Sequence, residues 1–445
     1  MLGKKAQIKA AKKLFEHLAE LLETRISVRL WDGTTVPLGS NVEPGLALTI
    51  KSPGVISSLL RKPTPENLLR HYARGHIGYD GADLMTFLET ARVPNSRNRA
   101  KKARKSVFAK AMLPFALAKG EPTTAEHAYE GDESGLKREQ AENRDFIQFH
   151  YDVSNEFYQL FLDPNMVYSC AYFRDWDESV EQAQINKLDM ICRKLQLQPG
   201  DRFLDIGCGW GALVCHAAKH YGVQAHGITL SDRQLEFARQ QIADWNLNDQ
   251  VTVEIRDYAD MEGQFDKISS IGMVEHVGID NLMGYTGKVK SLLRDRGIFL
   301  NHGITRPAKA TDKQFRKQTP ERRLLNKYIF PGSEVDHIGH MTQVMEACGF
   351  DVHDVEGWRD HYALTCKRWC QKLEENKTEA IKHIGAERYR MWVLYLAGVA
   401  FAFKDGSARI YQTVATSHSS KGVSGMPPTR EHLYESTGRT HRRAA

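Results

Sequence analysis

The sequence predicts an α/β protein in which a mostly parallel sheet carries helices on both faces, with a smaller α+β domain before it. Three observations support this fold class. Strand-like and helix-like runs alternate from about residue 141, an apolar run ends in a glycine-rich turn over 202–211, and residues 96–140 are polar and highly charged. The chain has 445 residues, enough for two or three domains, and 41% of them are hydrophobic, as in globular proteins.

Residues 1–95 are predicted to form the smaller α+β domain. Apolar residues at three- and four-residue steps predict a helix over 4–24, whose first half carries five lysines. The runs RISVRLWDG and ALTIKS, each followed by turn residues, predict short strands. A basic amphipathic helix can lie on a membrane surface or pack on its own domain, and the pattern leaves both interpretations open.

Residues 96–140 are predicted to be a linker, whose short apolar patch MLPFALA can either dock or form a brief helix, and residues 417–445 a disordered basic tail. The linker begins with a dense basic cluster made of Arg97, Arg99, Lys101, Lys102, Arg104 and Lys105. Such a cluster attracts polyanions, either nucleic acid or anionic lipid headgroups, but it is equally typical of a solvated linker.

Residues 141–416 are predicted to form the larger domain. Strands are expected at 202–206, 224–229, 251–256, 266–272 and 297–304, and SDRQLEFARQQIADWN is the clearest helix between them. Ligands of such sheets bind beyond the carboxyl ends of the strands. Polar residues fall at or just after these ends, which predicts one shared cleft lined by Asp205, Thr229, Asp257, Glu275 and His302.

The turn after the first of these strands reads DIGCGWG. Asp205 closes the apolar run, and Gly207, Gly209 and Gly211 follow at alternate positions before an alanine-rich helix. Glycines allow a backbone to approach a ligand closely. The spacing differs from the dinucleotide fingerprint and resembles the first motif of methyltransferases that use S-adenosylmethionine (SAM).

Further segments resemble one family in order and at workable spacing. HYDVSNEFYQLFLDPNMVYSCAYF, DIGCGWGALV, GITLSDRQLEFA, SIGMVEHVG, FLNHGI and KYIFPG are similar to cyclopropane-fatty-acyl-phospholipid synthases, which are related to the mycolic acid cyclopropane synthases. The resemblance implies a Rossmann-like class I SAM methyltransferase domain behind an N-terminal lipid-binding domain. It also implies transfer of a methylene group from SAM across a cis double bond of phospholipid acyl chains. The alternative is methylation without ring closure, which gives methylene- or methyl-branched chains.

The resemblance also implies which residues bind the two small molecules that the family uses. For SAM these are Tyr151, Ser169, Asp205, Gly207, Gly209, Gly211, Thr229, Gln234, Asp257 and Tyr258. For a bicarbonate ion that serves as the base they are Cys170, Glu275, His302, the backbone amide of Ile304, and Tyr362. An anion beside a carbocation can stabilise it and accept its proton, and aromatic faces stabilise the same charge. The aromatic candidates are Tyr168, Tyr172, Phe173, Trp176 and Tyr328.

The chain departs from the family near its C-terminus. The family commonly has a cysteine where YLAGVAFAF here has Val399. Valine has no acid–base or nucleophilic chemistry, so either that cysteine is dispensable or the activity is altered. We favour the first interpretation, because a bicarbonate base does not need a thiol.

The expected partners follow from the same resemblance. They are a phospholipid with unsaturated acyl chains, an anionic membrane surface and a second copy of the chain in a homodimer. We expect a cytoplasmic protein attached peripherally to the inner face of the membrane, since no apolar run is long enough to span it and seven irregularly spaced cysteines suit a reducing compartment. No metal site and no nucleic acid are expected. A nucleic-acid methyltransferase would leave the lipid-family segments unexplained, and a non-catalytic lipid-binding protein would not need the site residues.

Overall fold

A computed structural model describes residues 2–93, 98–99, 102, 104–115, 118, 120–122, 128–129, 145–146, 149, 153–418 and 422–434. Its strands are β1 (Ser27–Arg29), β2 (Thr35–Pro37), β3 (Ala47–Ile50), β4 (Ile77–Asp80), β5 (Arg202–Ile206), β6 (Gln224–Thr229), β7 (Val251–Ile255), β8 (Phe265–Ile271), β9 (Leu293–Thr305), β10 (Phe350–Gly357) and β11 (Arg409–Ser417).

The helices are α1 (Leu2–Leu22), α2 (Pro53–Arg61), α3 (Pro65–Ala73), α4 (Leu84–Ala91), α5 (Lys105–Phe115), α6 (Asn155–Gln159), α7 (Val180–Lys194), α8 (Ala212–Tyr221), α9 (Asp232–Asp244), α10 (Val274–Val277), α11 (Leu282–Leu292), α12 (Asp312–Arg316), α13 (Pro320–Tyr328), α14 (Ile338–Ala347), α15 (Arg359–Glu375) and α16 (Lys377–Lys404). Short 3-10 turns cover Tyr258–Asp260, Ile279–Asn281 and Glu431–Leu433. Within the described part of the chain, no helix has both the length and the apolar character needed to cross a membrane.

The chain divides into two units. The first consists of Met1–Ala128, Thr319–Leu324 and Trp369–Gly398. Its four-stranded sheet has the order β2-β1-β3-β4, in which β1 and β3 are parallel and the other pairs antiparallel. Apolar side chains of the sheet and of α1, α2, α4 and α5 form its core.

Helix α5 differs from the prediction that residues 96–140 are a linker. Ala111 and Phe115 of this helix are buried in the core of the first unit, and the Trp31 ring meets the Phe115 ring edge-on at 6.4 Å. Part of the predicted linker is therefore a packed helix. Two members of the basic cluster, Arg97 and Lys101, lie outside the described residues.

The second unit consists of Tyr129–Gln318, Leu325–Arg368 and Val399–Ala445. Its seven-stranded sheet has the order β10-β11-β9-β8-β5-β6-β7. Strands β5 to β9 run parallel, and β11 runs antiparallel to both of its neighbours. The strand order reverses between β5 and β8, where sheets of this kind open a crevice for ligands. The predicted α/β fold with a mostly parallel sheet is confirmed.

The C-terminal segment corrects the prediction of a disordered tail from residue 417. Residues 422–434 lie on the second unit, with Leu433 buried in a 3-10 turn. Arg430 forms a 2.6 Å ion pair with Asp354, and Arg193 donates a 3.2 Å hydrogen bond to the backbone carbonyl of Leu433. The polar composition of this segment gave no indication of these contacts.

Candidate active site

A pocket with about 940 Å³ of empty space opens at the carboxyl ends of β5, β6 and β8. Seven of the residues predicted to bind SAM line it, namely Ser169, Asp205, Gly207, Gly209, Thr229, Gln234 and Tyr258. The order reversal between β5 and β8 creates this crevice because the chain continues from β5 toward β6 and from β8 toward β9, in opposite directions along the sheet.

The glycine turn leaves room beside the backbone at the floor of the pocket. Gly207 and Gly209 have φ angles of +76° and +55°, a left-handed conformation in which glycine is favoured. A Cβ atom at Gly209 would meet no protein atom within 4 Å, whereas one at Gly207 would lie 2.4 Å from Sδ of Met273. The open space at Gly209 therefore faces the pocket and fits a ligand held close to the main chain.

Two predicted SAM residues, Gly211 and Asp257, do not line the pocket. Gly211 is the N-cap residue just before α8; a Cβ there would lie 2.9 Å from the Cβ of Ala238 on α9, so this glycine permits close helix packing. Asp257 caps a 3-10 turn by accepting a 2.9 Å hydrogen bond from the amide of Ala259, also away from the pocket lining. Tyr151 lies outside the described residues.

Polar pairs fix the pocket walls. The Thr229 hydroxyl donates a 2.6 Å hydrogen bond to the side-chain oxygen of Gln234, and both residues are buried. Asp205 accepts a 2.6 Å hydrogen bond from the Ser269 hydroxyl, while burial raises the pKa of its carboxyl to about 6. These bonds hold the side chains in one orientation before a ligand arrives.

Lys187 is a pocket residue that the sequence did not indicate. Its ammonium lines the pocket and donates a 3.0 Å hydrogen bond to the Ser169 hydroxyl. Burial lowers the pKa of Lys187 to about 8, although the negative charges of Asp163 and Asp205 oppose this shift. A lysine in the polar run VEQAQINKLDM looks solvated, and nothing in that run signals that α7 turns it inward.

A second, inner cluster contains the residues predicted to bind bicarbonate. Oε1 of Glu275 accepts a 2.5 Å hydrogen bond from the backbone amide of Ile304. Glu275 is 7% exposed, and burial raises the pKa of its carboxyl to about 7. A carboxyl with a pKa in this range can give or take a proton near neutral pH.

His302 is held by Gln412, a residue that the sequence did not indicate. The side-chain amide of Gln412 donates a 2.9 Å hydrogen bond to Nδ1 of His302, from the position directly opposite it on β11. Burial lowers the pKa of His302 well below its usual value, so the ring is neutral and carries its proton on Nε2. Gln412 could have been found only by predicting β11 and its register.

Trp358 joins the remaining members of the cluster. Its ring meets the His302 ring edge-on at 5.4 Å, and its backbone carbonyl accepts from the Cys170 thiol at 3.8 Å and from the Tyr362 amide at 3.0 Å. Cys170 is fully buried, which raises the pKa of its thiol well above the usual value. The thiol is therefore a neutral donor and not a nucleophile.

The inner cluster has buried polar atoms that fit a small anion. Glu275 Oε2, His302 Nε2 and Trp358 Nε1 are buried and have no hydrogen-bond partner among the described residues. Two of these atoms are N–H donors, and a protonated Glu275 would supply a third. Since buried polar groups are normally paired, this donor set suits an oxyanion such as bicarbonate.

Two chain segments connect the pocket to the inner cluster. Ser169 lines the pocket and Cys170 follows it in the cluster, while Met273 and His276 line the pocket on either side of Glu275 in sequence. Pocket residues are therefore direct chain neighbours of Cys170 and of Glu275, the residue that could accept a proton. This arrangement suits transfer of a group from a donor in the pocket.

The predicted aromatic residues are divided between different surroundings. Tyr168 lines the pocket, and the Tyr172 ring packs 4.8 Å from the Trp358 ring of the inner cluster. Trp176 is 55% exposed and packs against His361 at 5.0 Å. Phe173 and Tyr328 are buried, and Val399 is a half-buried residue of α16.

Comparison with known proteins places this site among related enzymes. The sequence profile of the mycolic acid cyclopropane synthetase family matches residues 138–413. A probable fatty acid methyltransferase of Pseudomonas putida is 37% identical over 416 residues, which cover 93% of this chain and 97% of that protein. The cyclopropane-fatty-acyl-phospholipid synthase of Escherichia coli K12 is 37% identical over 265 residues, 60% of this chain and 66% of that protein.

A solved structure has the same fold over the catalytic part. The crystal structure of mycolic acid cyclopropane synthase CmaA1 complexed with SAH and CTAB superposes with a TM-score of 0.58. The two chains are 33% identical, and the match covers 61% of this chain and 98% of the other.

Proposed function

The chain belongs to the mycolic acid cyclopropane synthetase family and is a SAM-dependent methyltransferase; from that premise we propose that it forms cyclopropane fatty acids in phospholipids. The substrate would be a cis double bond of an unsaturated acyl chain. The observation that carries the proposal is the inner cluster, where Glu275 Oε2 and His302 Nε2 are buried without a hydrogen-bond partner among the described residues, and where Glu275 directly precedes the pocket residue His276.

The reaction needs a methyl donor, a dry site and a base. The electron pair of the alkene attacks the methyl carbon of SAM, the carbon–sulfur bond breaks, and its electron pair stays on sulfur. The positive charge is then on the acyl chain. Loss of one proton from the new methyl group allows its carbon to close the three-membered ring. Aromatic rings such as Tyr168 and Tyr172 would stabilise the positive charge without competing for the methyl group.

Bicarbonate is the second part of the proposal. Cys170, Glu275, His302, Ile304 and Tyr362 would hold it, and a bound bicarbonate would supply an anionic base beside the positive charge. The donors that support it are Nε2 of His302 and Nε1 of Trp358, both buried without a partner among the described residues. Glu275, with a pKa of about 7, would donate a hydrogen bond when protonated and take a proton onward when ionised.

Methylation without ring closure is the second candidate. It is favoured by the relative from Pseudomonas putida, which matches 93% of this chain and is named a probable fatty acid methyltransferase. The difference between the products lies in which proton leaves. Removal from the new methyl group closes the ring, and removal from a neighbouring chain carbon leaves a branched alkene. The buried polar set around Glu275 supports ring closure because it provides a fixed base.

The decisive experiment is mass spectrometry of fatty acids from a host that makes unsaturated phospholipids but no cyclopropanes. Expression of the chain should convert unsaturated acyl chains into products heavier by one CH2 group. Chromatography against authentic standards separates ring from branch. Unchanged fatty acids in cells that contain folded, SAM-binding protein would contradict the proposal, and a branched product would select the second candidate.

We also propose that residues 1–95 bind lipid, that the enzyme works as a homodimer, and that it attaches peripherally to the cytoplasmic face of an anionic membrane. The excess of basic residues before residue 125 supports attraction to anionic headgroups. The family resemblance supports the remaining points. Under this proposal nucleic acid is not a substrate.

A further inference from the structure

A basic segment leaves the sheet beside the active site. We define it as residues 306–318, which contain five basic residues and one acidic residue. The segment begins directly after β9, two residues beyond Ile304, whose amide is bonded to Glu275. It therefore emerges at the rim of the inner cluster.

The base of this segment is fixed. The Arg306 amide donates a 2.8 Å hydrogen bond to the carbonyl of Asp336, and the Arg306 side chain donates a 2.8 Å bond to the carbonyl of Val335. Two residues before Asp336 in the same segment, the Glu334 amide donates a 2.9 Å hydrogen bond to the carbonyl of Glu275. The rim is thus tied to the backbone of the proposed proton acceptor.

The helix within the segment is anchored on its inner side. Phe315 is buried, with the Arg306 guanidinium stacked 3.6 Å from its ring and the His337 ring meeting it edge-on at 5.1 Å. Arg316 forms ion pairs with Asp280 at 2.8 Å and with Asp312 at 3.0 Å. These contacts set the orientation of α12, and they leave Asp312, its acidic residue, already paired with Arg316.

Three lysines of the segment have no ion-pair partner among the described residues. Lys309, Lys313 and Lys317 are exposed, and none has an acidic partner anywhere in the part of the chain that the structure describes. Arg409 adds a further exposed positive charge, because β11 places it opposite Thr305, the residue just before the segment. On an ordinary solvated surface, charges of both signs are usually interspersed. A firmly anchored segment whose lysines have no described ion-pair partner differs from that pattern.

We propose that the basic segment is the surface that docks the catalytic unit on an anionic bilayer, with Lys309, Lys313 and Lys317 contacting headgroup phosphates. The inference rests on the proposed function, because a phospholipid acyl chain must leave a bilayer to reach Glu275. A bilayer is the favoured partner over an acidic protein, since the proposed substrate is itself part of that surface. The headgroups stay at the rim while the acyl chain enters the site.

The test compares two triple variants that remove the same charge. Lys309→Gln/Lys313→Gln/Lys317→Gln removes the proposed contacts. Arg239→Gln/Lys288→Gln/Arg296→Gln is the matched control, taken from other faces of the second unit, where these residues also lack an ion pair among the described residues. Sedimentation with phosphatidylglycerol vesicles and with phosphatidylcholine vesicles, without SAM, measures binding across a range of NaCl concentrations.

The lysine variant should bind phosphatidylglycerol vesicles about 100-fold more weakly, because each lysine near an anionic bilayer contributes a factor of about five. The control should bind like the wild-type protein, and salt should weaken wild-type binding. Equal losses in both variants, or no loss in the lysine variant, would overturn the proposal. Retained vesicle binding in the lysine variant would favour an acidic protein as the partner of the basic segment. Because binding is measured without catalysis, failure of the proposed reaction would not change these outcomes.

Discussion

Glu275 combines two properties that conflict in an ordinary protein interior. One of its oxygens is bonded to the Ile304 amide, and the other is buried without a partner among the described residues. Burial keeps its pKa near 7, so ionisation at neutral pH costs folding free energy. Such a cost is typical of groups retained for chemistry, because a neutral side chain of the same shape would be more stable there.

We predict that Glu275→Gln abolishes ring formation while SAM binding survives, since Glu275 does not line the pocket in which we propose that SAM binds. Wild-type turnover should rise as the pH increases through about 7, where Glu275 ionises and becomes able to accept a proton. Both predictions are checked by measuring product formation and SAM affinity from about pH 5.5 to 8.5, the range around that pKa. Turnover close to wild type in the variant would show that the proton does not pass to Glu275.

The same pKa predicts a change in stability with a definite sign. A carboxyl whose pKa is raised from about 4.3 in the unfolded chain holds its proton more tightly when folded, so folding loses free energy as the pH rises through this interval to about 7. Glu275→Gln should therefore melt at a higher temperature than wild type at pH 8 and at a similar temperature at pH 4 (below both pKa values, roughly). Glu346→Gln, at an exposed glutamate, is the control and should show no such difference.

Single residues differ in how far the sequence could predict them. Glu275 follows the end of β8, His302 lies near the end of β9, and both belong to recognisable segments, so the sequence predicts both, and both lie in the inner cluster. Gln412 and Lys187 carry no such signal. Their roles depend on the register of β11 against β9 and on the rotation of α7, which are set by long-range packing.

At the scale of elements, the turn after β5 makes a specific prediction about the ligand. A Cβ at Gly209 would meet no protein atom within 4 Å apart from its chain neighbours, and Gly209 lines the pocket, so alanine there should compete with a bound ligand for space. Gly209→Ala should weaken SAM binding about tenfold or more, because the backbone must lie close to the ligand. Isothermal titration calorimetry on the purified variant measures the change.

The control for this substitution is Gly200→Ala. Gly200 has a φ of +85°, also meets no protein atom within 4 Å, and does not line the pocket. Both variants therefore carry the strain of a side chain in the left-handed region, and only one of them faces the ligand. Equal SAM affinities in the two variants would show that SAM does not approach the main chain at Gly209.

The elements of the parallel sheet were predicted well, and the edge strands were not. Strands β5 and β6 have the predicted bounds, and β7 to β9 differ at their ends. These buried strands are continuous apolar runs that end at turns. Strand β10 lies at the sheet edge and consists mostly of polar, partly buried residues. Strand β11 follows a long helix and lies outside the regular alternation of strands and helices. The sequence pattern therefore predicted neither strand.

At the scale of the whole molecule, the first unit is built from distant parts of the chain. Residues 369–398 belong to it together with residues 1–128. Glu374 is one of the links: it accepts a 2.6 Å hydrogen bond from the Tyr79 hydroxyl and 3.1 Å bonds from the Leu84 amide. No local pattern could predict this association, because the groups are separated by about 290 residues and each looks like part of an ordinary polar surface.

We predict that Glu374→Ala destabilises the first unit by about 2 kcal/mol, because two donors lose a charged acceptor and hydrogen bonds to charged groups contribute about 1.5–3 kcal/mol. Glu375→Ala is the matched control: its side chain is exposed, and a surface change of this kind should stay within about 0.5 kcal/mol. Urea unfolding gives the free energies, and hydrogen exchange at the Leu84 amide reports the local link. If exchange at Leu84 accelerates in neither variant, the N-terminal part does not depend on residues 369–398, and the first unit is held together by residues 1–128 alone.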